Sequence, residues 1–235
     1  MISNIILLEN IKNVYRKISS AAIRSGRNPF DVTLIAVTKT VDSQKIQEAI
    51  ELGLRVFGEN KVQEARGKIV PLRAAMPDYA VEWHLIGHLQ KNKTKMAVQL
   101  FDLIHSLDSV SLAEEINIHA EKLKKIQRVL IQVNLSEEES KYGIPGENVM
   151  ELLRKVAGMK HLKVEGLMTI PPFFDNPEIA RPFFRKLRAL RDTAEEEGFK
   201  LPELSMGMTH DFEVAILEGA TVVRIGTGIF GTRVK

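Results

Sequence analysis

The sequence predicts an α/β protein, a closed (β/α)8 TIM-type barrel with one extra helix in front, and three observations carry that prediction. Short apolar, β-branched runs alternate with helical patterns from about residue 32 onward. The runs number eight, and strands separated by helices become parallel neighbours because a parallel pair needs a crossover. The first strand–helix turn lacks a glycine-rich dinucleotide fingerprint, which favours a closed barrel over an open doubly wound sheet.

In chain order, residues 4–26 are expected to form the extra helix, with Ile2, Ile5, Leu8, Ile11, Val14 and Ile18 near one face. Strands are expected at 32–39, 55–60, 82–88, 101–107, 128–135, 163–170, 203–208 and 222–230. Among the helices between them, Asn176, Pro177 and Glu178 supply an N-cap, a first-turn proline and an acid matched to the helix dipole. Pro182 lies a turn further in, so this helix is expected to kink or to begin late. Thr209 is expected to cap a helix that carries Asp211 and Glu213 in its first turn and stops at Gly219. No Pro/Gly/Ser-rich linker, longer repeat or low-complexity segment interrupts the pattern. One domain over residues 1–235 is expected, with 1–31 as helix and lead-in and 32–235 as barrel.

Composition narrows the function. At 235 residues, roughly 70–75% of the unfolded surface can be buried, so no staple is needed. Cysteine is absent, which excludes disulfides, thiolate metal sites and a cysteine nucleophile, and fits a reducing compartment. The N-terminal stretch lacks the basic start, apolar core and cleavage site of a secretory signal. No apolar run approaches the roughly 18 residues of a membrane span, so a soluble, cytoplasmic protein is expected. Net charge is +3 with both signs interspersed. Its basic stretches (Lys91, Lys93 and Lys95; Lys122, Lys124 and Lys125) have no interleaved aromatics, so solvated helix faces are expected rather than a nucleic-acid surface.

In a barrel of this kind the chemistry sits at the C-terminal ends of the strands. That rule selects Lys39, Asn60, His84 to His88, His105, Asn134, Met168 to Ile170, Met206 to Thr209 and Arg224 to Thr227. Lys39 ends an apolar run, where partial desolvation would disfavour its charged form and leave an amine able to form imines. A lysine that merely caps the strand and reaches solvent accounts for the same residues. Gly207, Met208 and Thr209 lead from a strand into a helix, and Arg224 to Gly228 close the last strand with small residues. A hydroxyl and free N–H groups at a helix start, beside a backbone a ligand can approach closely, suit a phosphate after the last two strands. His84 and His88 would share a strand face about 13 Å apart, too far for one metal ion, and no metal site is expected. Met206 and Met208 suit packing better than chemistry.

The segments AVTK (36–39), FGENKVQE (57–64), WHLIGHLQKNK (83–93), LSMGMT (204–209) and VRIGTGIFG (223–231) resemble the pyridoxal phosphate homeostasis protein family. This is the alanine-racemase-related group of single-domain barrels that bind pyridoxal 5′-phosphate (PLP). The resemblance covers essentially the whole chain, in order and at family spacing, and implies a barrel like the alanine racemase N-terminal domain. It matches Lys39 to the Schiff-base lysine and Asn60 to a pocket asparagine. Thr209, Gly226 and Thr227 match the phosphate cradle, while Met206, Gly207 and Met208 match a segment lining the pocket. Arg224 matches the arginine that faces the pyridine nitrogen. Thr209 stands where a serine is more usual, which keeps the hydroxyl.

The resemblance implies a PLP-binding protein of vitamin B6 homeostasis, with apo-enzymes that use PLP as recipients and a monomer as the simplest state. No residue is expected to be catalytic. An amino-acid racemase is the alternative, but related racemases add a β-rich domain whose tyrosine opposes the lysine. This sequence runs four residues past Gly231, so no such domain is expected, and Tyr15, Tyr79 and Tyr142 lie outside the expected strand ends. A lysine-imine aldolase acting on a sugar phosphate without PLP is a third reading.

Overall fold

Eight parallel strands close into a barrel within residues 2–136 and 142–232, the residues that the computed structural model describes. They are β1 (Thr33–Val37), β2 (Val56–Glu59), β3 (Glu82–Leu85), β4 (Leu103–Leu107), β5 (Gln127–Asn134), β7 (Leu162–Met168), β8 (Glu203–Met208) and β9 (Val222–Ile225). A two-residue strand, β6 (Ile144–Pro145), pairs with the C-terminal end of β5 outside this ring. The ring closes through β4–β5 on one side and β1–β9 on the other. Around it lie α1 (Ile2–Arg24), α2 (Ser43–Glu51), α3 (Val62–Ala75), α4 (Thr94–Leu100), α5 (Val110–Lys122), α6 (Val149–Val156), α7 (Arg181–Glu196), α8 (Phe212–Leu217) and α9 (Thr227–Phe230).

The period of two in each strand sorts side chains between helices and barrel interior. Phe57, Trp83, Leu85, Ile104, Val129, Leu204, Val223 and Ile225 face outward and join the helices in one continuous apolar core. Leu103, Leu130 and Met168 form a small apolar cluster of their own. Ile35, Val37, Ile86 and Val222 form another, and several interior positions are polar: His84, His105, Ser205 and Arg224 are all buried.

Six of the eight expected strands end earlier than the sequence suggests, and three of these ends bear on the site. β1 stops at Val37, which puts Lys39 in the turn beyond it, and β3 stops at Leu85, which leaves His88 in a loop. The last strand, expected over 222–230, stops at Ile225, and 227–230 form the one-turn helix α9. The apolar, β-branched character of this stretch is shared by buried helix turns, so composition could not separate the two. Asn176 does cap a short turn, Pro177–Ala180, by accepting from the Glu178 N–H. α7 then begins late, with Pro182 in its first turn. Thr209 does not cap α8. Asp211 holds the cap position, and its carboxylate instead accepts from the Met208 N–H at 2.6 Å.

The buried face of α1 also differs from expectation. Leu7, Ile11, Val14, Ile18, Ala21 and Ala22 are buried, whereas Ile5 is 62% exposed. The expected stripe advances mostly in threes, and each such step drifts about 60° around a helix with 3.6 residues per turn. Alternating steps of four and three, as in 7–11–14–18, hold one face. Leu7→Ala should therefore cost about 2–5 kcal/mol in urea unfolding, and Ile5→Ala should stay within about 0.5 kcal/mol of wild type. The reverse order would show that the other face packs on the barrel.

Candidate functional site

A cavity of about 610 Å³ opens at the C-terminal rim of the barrel. Lys39, Asn60, Met208, Thr209, Arg224, Gly226 and Thr227 all line it, together with an apolar wall that includes Ile86, Ile170, Phe173 and Phe174. A larger groove, about 910 Å³, runs along the outer face of α1. It holds none of the strand-end residues, so the smaller cavity is the candidate site. Met206 packs fully buried in the main core. Gly207 lies between it and Met208 at φ +93°, where a Cβ would stand 2.6 Å from the Cβ of Ala215 and 2.9 Å from the Cα of Phe212. A residue without a side chain lets β8 turn tightly beneath α8.

The turn that carries Lys39 is clamped from below. Lys68, on α3, donates to the Thr38 carbonyl at 2.7 Å, to Glu59 Oε1 at 2.9 Å and to Glu64 Oε1 at 2.6 Å. The Thr38 hydroxyl donates to the same Glu59 oxygen at 2.7 Å, and the Thr40 N–H donates to Glu64 at 2.6 Å. Both neighbours of Lys39 are thereby tied to one buried cluster. Thr40 needs that tie, because its φ of 63° costs a residue with a Cβ roughly 1–2 kcal/mol. One ammonium favours the ionised form of both carboxylates, yet their net shifts are opposite because they differ in burial. Burial pushes Glu59 up despite the hydrogen bonds from Thr38 and Lys68. For the more exposed Glu64, the cost of burial is outweighed by the bonds from Lys68 and the Thr40 N–H, which hold it below its ordinary range.

Arg224 forms the polar floor. It is buried, donating to Ser205 Oγ at 2.5 Å and to the Thr169 carbonyl at 2.9 Å. Burial lowers its guanidinium to about 10, against the opposing pull of Asp211, so the group stays charged at neutral pH. Asn60 is held close by Gly87, where a Cβ would stand 2.3 Å from the Asn60 carbonyl oxygen. The Asn60 Oδ1 is buried with no hydrogen-bond partner among the described residues, an arrangement that suits a donor supplied from the cavity.

His84 points into the barrel and meets His105, while His88 stacks on Tyr142 with ring centroids 3.9 Å apart. Among the described residues, no group of three or more His, Cys, Asp or Glu could hold a metal ion. The sequence reading missed the Lys68 clamp, although Glu64 and Lys68 stand at i, i+4 on a helix, a spacing that announces pairing. It also missed His210 and Asp211 as cavity residues, along with Pro172, Phe173, Phe174, Pro177 and Ala180.

The family profile described as alanine racemase, N-terminal domain, matches residues 6–234. A protein of Aquifex aeolicus named pyridoxal phosphate homeostasis protein is 49% identical over 226 residues, covering 96% of this chain and 97% of its own. The chain belongs to the pyridoxal phosphate homeostasis protein family. The Escherichia coli K12 protein of the same name is 39% identical over 231 residues, with 97% of each chain covered. Among solved structures, PipY of Synechococcus elongatus, described with PLP bound, is 35% identical with a TM-score of 0.80. The match covers 93% of this chain and all of PipY. Family membership and the barrel geometry therefore agree. Among the described residues, no helix is long and apolar enough to cross a membrane.

Replacing the clamp cation should be costly. Lys68→Met leaves the buried Glu59 and the half-buried Glu64 without their shared partner, a loss of about 3–5 kcal/mol in urea-unfolding free energy. A loss below about 1 kcal/mol would show that the cluster contributes little to holding the turn.

Proposed function

We propose that this chain binds PLP as a Schiff base on Lys39, and stores and supplies the cofactor in the cytoplasm rather than turning over a substrate. The observation that carries the proposal is the meeting of Lys39, Asn60, Arg224, Thr209, Gly226 and Thr227 around one cavity. The unpartnered Asn60 Oδ1 and the buried guanidinium fit a polar aromatic ligand, and the family name and the PLP described in PipY support that choice. PLP, when bound, supplies an aldehyde for imine chemistry and a phosphate anchor. Lys39 would give the amine that condenses with that aldehyde, forming C=N and releasing water. The Thr209 and Thr227 hydroxyls and the open backbone at Gly226 would receive the phosphate. Arg224, which keeps its proton, would stand against the ring nitrogen and hold it unprotonated, leaving a weak electron sink.

The tyrosines support the carrier reading over a racemase. Two-base chemistry needs a second proton donor within about 3 Å, opposite the lysine. Tyr15 lines the outer groove of α1, Tyr79 lies under the Arg55 guanidinium, and Tyr142 stacks on His88. None of the three lines the cavity. On this proposal residues 1–235 act as one barrel domain, and apo-enzymes that require PLP are the recipients.

Borohydride reduction of the PLP-loaded protein, followed by peptide mass spectrometry, should place the pyridoxyl group on Lys39. A label mainly on Lys61, or on Lys141, which lies outside the described residues, would sink the assignment. Thr209→Ala and Thr227→Ala should each weaken PLP binding about tenfold or more, since a hydrogen bond to a charged group contributes about 1.5–3 kcal/mol. Pyridoxal without phosphate should be affected little, and equal losses for the two ligands would move the phosphate elsewhere.

A further inference from the structure

Beneath the cavity, a continuous line of side chains crosses the barrel interior. Arg224 Nη1 lies 2.5 Å from Ser205 Oγ, which lies 3.0 Å from His105 Nδ1. His105 Nε2 lies 3.1 Å from His84 Nδ1, and His84 Nε2 lies 3.2 Å from Glu82 Oε2. Ser205 and His105 are fully buried and His84 nearly so, while Glu82 is half exposed.

With both imidazoles neutral, the two ends set the order of the protons between them. A guanidinium only donates, and an ionised carboxylate only accepts. Ser205 Oγ takes a hydrogen from Arg224 and can pass its own to His105 Nδ1. His105 then carries its hydrogen on Nε2 and gives it to His84 Nδ1, leaving the His84 Nε2–H for Glu82. The opposite order would turn a lone pair of neutral His84 toward the Glu82 carboxylate, or require His84 to be charged. The charged groups around the pair are Glu82, Arg128, Glu165 and Arg224, and Arg128 already bridges the two carboxylates. Burial keeps His105 well below its ordinary value, with the Arg224 and Arg128 charges acting in the same direction. The hydrogen bond from His84, outweighing partial burial and reinforced by Arg128, holds Glu82 at about 2.

We propose that Ser205, His105 and His84 are positioning residues for Arg224, forming a one-way hydrogen-bond chain that ends on Glu82 and fixes the guanidinium at the cavity floor. Both imidazoles are then locked as neutral Nε2–H tautomers. Insofar as the chain sets how Arg224 meets a ring nitrogen, it rests on the PLP reading; its geometry stands without the ligand.

The test separates those two parts. Long-range ¹⁵N–¹H spectra of the ligand-free protein near neutral pH should show both histidines as Nε2–H tautomers. Arg224 should show hindered rotation of its terminal nitrogens. Ser205→Ala cuts the chain beside Arg224, and Glu82→Ala removes its far acceptor at a half-exposed site where folding is safe. Both variants should bring mixed tautomers at His84 and His105, and Ser205→Ala should broaden the Arg224 signals. A residue that only fills space would leave the tautomers unchanged when the distant carboxylate is removed. An Nδ1–H His105 or a charged imidazole in the wild type, or wild-type tautomers in both variants, overturns the chain. In the loaded protein, Ser205→Ala should weaken PLP binding about three- to tenfold and shift its visible absorbance, because one hydrogen bond orienting a charged group is lost. Unchanged binding and absorbance overturn the positioning role, whereas a wild type that takes up no PLP at all overturns the cofactor reading alone.

Discussion

The pairing of the first barrel strand with the last is the constraint on which the site depends. β1 and β9 run parallel in a register that sets Ile35 beside Arg224 and Ala36 beside Ile225. Lys39 therefore leaves β1 on the rim where Gly226 and Thr227 leave β9, although nearly the whole barrel separates them in sequence. Parallel closure sends the C-terminal end of every strand to the same rim, so Asn60 from β2 and Thr209 from β8 arrive there too. Open this one seam and the amine would no longer face the segment opposite it.

A barrel interior is ordinarily filled by layers of branched apolar side chains. Here Leu103, Leu130 and Met168 make up one small apolar cluster, and Ile35, Val37, Ile86 and Val222 another. Polar residues occupy much of what remains. A buried polar atom without a partner costs roughly 1–3 kcal/mol, so a polar interior is tolerable only when its members satisfy one another. From Arg224 to Glu82 each neighbour does so, and at the far end Arg128, Glu165 and Lys163 continue the pairing. The interior thereby gives up apolar contact and gains fixed direction.

Much of this was legible in the sequence, and the misses have physical causes. Strand number, parallel order and the extra helix follow from periodicity, which reports which side of each element is buried. That Lys39, Asn60, Thr209, Arg224, Gly226 and Thr227 would gather at one rim was legible because a barrel rim is a topological address that strand ends reveal. The cap on α8 was misread because Thr209 and Asp211 are both good caps two residues apart, and only the turn at Gly207 decides between them. The histidine line was invisible for another reason. Its members come from β3, β4, β8 and β9, and strand pairing alone brings them together, so no local spacing announces it. Lys68 is the intermediate case, with Glu64 visible at i, i+4 and Glu59 reached only through the fold.

Two buried cations near the rim are treated in opposite ways, and the contrast bears on what the cavity can hold. Lys68 is enclosed by two carboxylates, so its charge is answered inside the protein. Arg224 donates to a hydroxyl and a carbonyl, which fix its direction but bring no countercharge. Asp211 acts on it only through space, and burial pushes that carboxyl up toward its neutral form. Burial alone accounts for the lowered guanidinium, and a charge left in this condition gains from any electron-rich or anionic group that enters beside it. Among the described residues that line the cavity are hydroxyls, an amide and backbone groups but no second cluster of carboxylates to compete. Binding of such a ligand and stability of the folded barrel are then linked, since whatever completes Arg224 stabilises only the state in which β9 is paired with β1.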